Sequence, residues 1–76
     1  MPEVYRFKNI KLVIRTNDHG PAHVHAIGPG AEAKIEIESG ECFYARGFNQ
    51  RDISRIEEAV LERKAKLMEV WNEFHE

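Results

Sequence analysis

The hydrophobic pattern of this chain changes its period once, near residue 48, and that change limits the folds open to it. Before it, residues 10 to 16 (IKLVIRT) put Ile10, Leu12 and Ile14 on one face and Lys11, Val13 and Arg15 on the other, the period of a half-buried strand. Asn17-Asp18-His19-Gly20-Pro21 then stops the strand with turn formers. Residues 23 to 27 read as a second short strand, and Gly28-Pro29-Gly30 turns the chain again. In residues 32 to 38, Ala33, Ile35 and Ile37 alternate with Lys34, Glu36 and Glu38. Ser39-Gly40 suits a two-residue hairpin, which would oppose Ile37 to Cys42 and Ile35 to Tyr44, with residues 41 to 46 as the fourth strand.

After Phe48 the period is helical. Asn49 is a favoured N-cap, Asp52 follows in the first turn, and Phe48 with Ile53 occupies the positions of a hydrophobic staple. Ile53, Ile56, Val60, Leu67, Trp71 and Phe74 recur at spacings of three, four and seven, so one stripe of the helix faces the sheet. Arg63 and Lys64 interrupt that stripe, but their aliphatic stems can cover apolar surface while the charges reach water. The expectation is therefore a single α+β domain over residues 1–76: an antiparallel sheet of three to four strands within residues 1–47, with one long C-terminal helix over 49–75 across one face.

Size makes that helix a problem. A chain of 76 residues hides only about 60% of its unfolded surface. A helix of about 26 residues spans about 39 Å, whereas a domain of this size has a radius of gyration of about 11 Å. The helix should overhang its sheet and leave Leu67, Met68, Val70, Trp71 and Phe74 as an interface for a small protein partner or a second copy. The opposing reading folds the segment from Val4 to Phe7 back beneath it.

Charge narrows the partner. The net charge is −2, and neither half is basic: the first fifty residues hold six Lys/Arg against six Asp/Glu, the remainder five against seven. That argues against nonspecific nucleic-acid binding, which needs a surplus of phosphate-pairing charge. No apolar run approaches the ~20 residues of a membrane span. The single Cys42 rules out an intrachain disulfide, and a cytoplasmic location is expected.

Chemistry has to come from residues 17–26, NDHGPAHVHA, which hold three of the four histidines. In a strand His23 and His25 share a face, with Cα atoms roughly 6.5–7 Å apart. If residues 28–31 form the loop, Ile27 opposes Glu32, His25 opposes Lys34 and His23 opposes Glu36. The outer face then gathers His19, His23, His25 and Glu36, a donor set suited to Zn²⁺ or a similar first-row ion, although no cofactor is required by the sequence. The same imidazoles could do acid/base work, as in a ribonuclease with His23 and His25 as general base and acid and Lys34, Arg15 or Arg46 stabilising the phosphate. Lys34 opposes a cation at His25. In the opposing account, the turn residues bond local backbone, and Glu36 is only a charge-complementary neighbour of solvated histidines.

The stretch N-D-H-G-P-A-H-V-H-A, followed by Ala33, Ile35 and Ile37 and by E-x-W-N at Glu69 to Asn72, resembles the small bacterial "domain of unknown function 4160" family. The family's typical motif reads N-D-H-x-P-P-H-x-H-A. Asn17, Asp18, His19, Pro21, His23, His25 and Ala26 match it, and Ala22 stands in place of the second proline. The resemblance implies a small bacterial interaction or regulatory protein, of the kind described in toxin–antitoxin-like gene pairs, with no established reaction or ligand.

Overall fold

The computed structural model describes residues 3–17 and 19–75. Among them, five strands form one antiparallel sheet in the order β1-β2-β3-β4-β5: β1 (Glu3–Phe7), β2 (Ile10–Val13), β3 (His23–Gly28), β4 (Ala31–Glu36) and β5 (Cys42–Arg46). The fold is α+β as expected, with more strands than the expected three to four. The addition is β1, which pairs with β2 at the sheet edge, opposing Tyr5 to Leu12 and Phe7 to Ile10.

The β3–β4 hairpin has the expected register, with Ile27 opposite Glu32, His25 opposite Lys34 and His23 opposite Glu36. Pro29 and Gly30 form its turn, and Gly30 takes a φ of 65° that glycine adopts without a Cβ penalty. The next hairpin differs from the two-residue loop expected at Ser39-Gly40. The Glu36 N–H donates to the Glu41 carbonyl at 2.9 Å, and the Gly40 N–H returns to the Glu36 carbonyl at 2.8 Å. Ile37 is fully buried and its N–H donates to Ala22 O at 3.0 Å, so it pairs back toward β3 instead of forward to Cys42. Cys42 therefore opposes Ile35 and Tyr44 opposes Lys34, which makes Phe43 the extra residue of a bulge.

The single long helix is also corrected. There are two, α1 (Gln50–Glu62) and α2 (Lys64–His75), separated at Arg63, whose φ of −117° and ψ of 21° leave the helical region. In an unbroken helix position 63 falls on the apolar stripe between Val60 and Leu67, aiming a guanidinium at the core. The break lets Arg63 lie 3.4 Å above the Tyr5 ring, a cation–π contact beside β1. The expected N-cap is present: Asn49 Oδ1 accepts from the Asp52 N–H at 2.8 Å.

The core joins Ile10, Leu12, Ile14, Val24, Ala26, Ala33, Ile35 and Ile37 of the sheet to Ile56, Ala59, Val60, Leu67, Val70 and Trp71 of the helices. Both helices thus lie on one face. With a radius of gyration of 11.2 Å and a longest extent of 34 Å, the molecule has no room for a 39 Å rod. The expected overhang does not occur. Leu67, Val70 and Trp71 are buried in the chain's own core, Met68 packs against it, and of the five only Phe74 is exposed. Among the described residues, no helix is long and apolar enough to cross a membrane.

Candidate functional site

Two of the histidines lie on β3. Alternation along β3 sends Val24 and Ala26 into the core and His23 and His25 to the other side. Only His23 behaves there as the sequence suggests, being half-buried. His25 is 2% exposed.

The His25 ring joins a polar network centred on Glu32. Its Oε2 accepts from His25 Nδ1 at 3.2 Å and lies 3.5 Å from Arg15 Nη2, while Oε1 lies 3.8 Å from Arg46 Nη2. Arg15 follows β2, Glu32 sits on β4, and the direct path between them crosses β3 at His25. The Nε of Arg15 is buried and has no hydrogen-bond partner among the described residues. A carboxylate only accepts, so Nδ1 of His25 carries the proton. The sequence offered no signal for this arrangement, because Glu32 is diagonal to His25 and was placed opposite Ile27.

Beside this network lies an open pocket of about 570 Å³, lined by His19, Pro21, His23, Lys34, Glu36, Glu41 and Phe43. Four of the residues singled out from the sequence, His19, His23, Lys34 and Glu36, meet there; His25 stands behind the wall. Glu41 and Phe43 were missed, Phe43 because only the bulge turns it beside His23, with ring centroids 5.8 Å apart. The His23 Nδ1 donates to Pro21 O at 2.9 Å, which places the proton of the neutral ring on Nδ1. Trp71 closes the back of this group, 5.4 Å from the His23 ring and stacked on His75 at 3.7 Å. Lys34 holds its ammonium 5.1 Å from the Tyr44 ring centroid.

Among the described residues, no three His, Cys, Asp or Glu side chains come together as a metal-binding group. Asp18, the acidic member of the turn, lies outside the described residues. Of the ligand set drawn from the sequence, His19, His23 and Glu36 line the pocket, while His25 bonds Glu32 with its ring 5.2 Å from that of His23.

An antiparallel sheet backed by two helices, with a histidine-lined pocket beside β3 and β4, defines a small α+β domain with a preformed surface site. The chain belongs to the Domain of unknown function (DUF4160) family, whose model matches residues 9–72. Comparison with curated proteins and with solved structures found no match.

Proposed function

We propose that the protein acts by binding another protein on the open face of its sheet, with Phe43, Tyr44 and the histidine pocket as the docking surface. The observation that carries this reading is the pair of adjacent aromatic side chains on β5, 59% and 43% exposed, beside the histidine pocket. Large rings left in water beside a pocket gain from burial in a complex, and aromatic residues are enriched at the centres of such contacts. A small regulatory component of a toxin–antitoxin-like gene pair would work in this way, with a cytoplasmic partner encoded beside it. Co-expression with the product of an adjacent small reading frame tests it. The expected result is a complex that Phe43→Ala with Tyr44→Ala disrupts; a complex indifferent to both substitutions overturns the proposed surface.

A second reading, a histidine-dependent ribonuclease, is favoured by one observation: His23 presents a fixed tautomer to the pocket that Lys34 also lines. A base at His23 Nε2 with a nearby ammonium is a minimal set for phosphodiester cleavage. Incubation of the pure protein with RNA, with and without EDTA, decides it. Unchanged RNA under every metal condition removes this reading.

A further inference from the structure

We infer that α2 exchanges between two copies of this chain: the break at Arg63 straightens, residues 50–75 become one helix, and its second half seats in the core of the other copy. This goes beyond the docking proposal and does not depend on what binds beside Phe43. Three observations carry it.

The first is a break that the local sequence does not ask for. Sharp interruptions of a helix usually sit at proline, at glycine or at an inserted side chain, yet residues 50–75 contain neither Gly nor Pro. Glu62, Arg63, Lys64, Ala65 and Lys66 are all strong helix formers. The apolar stripe also stays in phase across the break, since Val60 and Leu67 are seven residues apart, close to two turns of an unbroken helix. The second observation is that closure requires the break. Unbroken, the segment spans about 39 Å, longer than the 34 Å molecule. The contacts at the closed hinge are light: Arg63 lies 3.4 Å above the Tyr5 ring, and Lys64 Nζ is 3.2 Å from Glu38 Oε1 in an ion pair open to water.

The third is the identity of the occupant. α2 puts Leu67, Val70 and Trp71 into the core, and the α2 of a second copy fits the same seat because it is the same segment. Exchange remakes the core contacts of the closed chain and gives up only those at the hinge, which is why it is an accessible route to a dimer. Straightening also suits Arg63, because the hinge then runs between two domains and its guanidinium meets water instead of a core. The consequence reaches the pocket. Trp71 lies 5.4 Å from the His23 ring and stacks on His75 at 3.7 Å. In the dimer both rings come to each His23 from the other chain, so the back of the pocket is built by two copies.

The test follows sedimentation of the purified chain from micromolar to millimolar concentration, after refolding from urea at each concentration so that exchange is not kinetically blocked. A monomer–dimer equilibrium is expected. Spin labels at Gln50→Cys and Glu73→Cys in a Cys42→Ser background, diluted with unlabelled chain, then read the helix: about 35 Å within one chain of the dimer, and less in the monomer. Arg63→Ala removes the Tyr5 contact and puts the best helix former at the hinge, so it should tighten the dimer about tenfold. Ala65→Pro falls in the first turn of α2, where proline is tolerated, but inside a continuous helix, where it is not, and should leave a folded monomer. A chain that stays monomeric at every concentration, even as Arg63→Ala, overturns the inference. So does a dimer whose labels keep the monomer's separation, since that is a pair of closed copies, and so does a dimer that Ala65→Pro leaves as tight as the parent. Exchange should persist in the protein carrying Phe43→Ala and Tyr44→Ala; a dimer lost there overturns the inference, whereas loss of partner binding alone removes only the docking proposal.

Discussion

Replacing Leu67 by Ala measures whether the end of the molecule is sealed by its own sheet or waits for a partner. Leu67 is fully buried within the core cluster, in contact range of sheet and helix residues alike. Truncation removes three carbons, or about 2.4 kcal/mol of transfer free energy at about 0.8 kcal/mol for each. The cavity left behind raises the total to about 3–5 kcal/mol. In a domain of this length each kcal/mol moves the melting temperature by about 4–8 °C, so a loss of at least about 12 °C is expected. The assay is thermal and urea unfolding at two protein concentrations tenfold apart, with Phe74→Ala as the comparison. Phe74 is 44% exposed, and its truncation should cost less than half as much. A Leu67→Ala protein within about 1 kcal/mol of the parent would refute the packing argument. So would a destabilisation that vanishes on dilution of the parent, since that would place the covering surface on a second molecule.

Gly47→Ala should cost more than Gly30→Ala although both glycines have positive φ. A Cβ at Gly47 meets Gly30 O at 2.5 Å and the Ala31 Cα at 2.9 Å, whereas one at Gly30 meets nothing within 4 Å. Chemical denaturation should separate them by more than about 1 kcal/mol, and equal losses would mean that the crossing from β5 to α1 is not this tight. Asn49→Ala removes the acceptor of the Asp52 N–H and should lower stability by about 0.5–2 kcal/mol, with Asn49→Gly losing only a few tenths. Zn²⁺ taken up by the pocket should bind through His19 and His23 while His25 keeps its bond to Glu32, so the His25 Nδ1 proton resonance should persist through the titration; its loss on metal binding would make His25 a ligand as well.

The sequence made the alternating strands and the inner and outer sides of β3 and β4 readable, because a side chain in a strand has only two choices and the Pro29-Gly30 turn sets the register. Where a residue's fate depended on something distant, the pattern was silent. Arg63 ends the first helix and lies over the ring of Tyr5, far away in the sequence. Ile37 leaves the expected hairpin because its amide goes to Ala22. Alternation alone puts His25 on a solvated face, but it is buried and bonded to Glu32, seven residues later on the next strand. The candidate site was legible as a set of residues, His19, His23, Lys34 and Glu36, and not as a shape. Phe43 and Glu41 enter it through a bulge and a longer loop that local pattern does not encode.

Both outer strands of the sheet are irregular. β1 shifts register between Glu3 and Tyr5, β5 carries the Phe43 bulge, and the Cys42 N–H of β5 donates to the Glu57 carboxylate of α1 at 2.9 Å. A sheet open at two ends is a template on which further strands can add without limit, and a short chain with 42% hydrophobic residues is exposed to that hazard whenever it is crowded. Each irregularity spoils the even row of donors and acceptors that an incoming strand would need, and Glu57 consumes one donor outright. The kink that brings Phe43 to the pocket therefore also caps the growth of the sheet, so that the chain can present aromatic surface on its face without offering its edge to fibre formation.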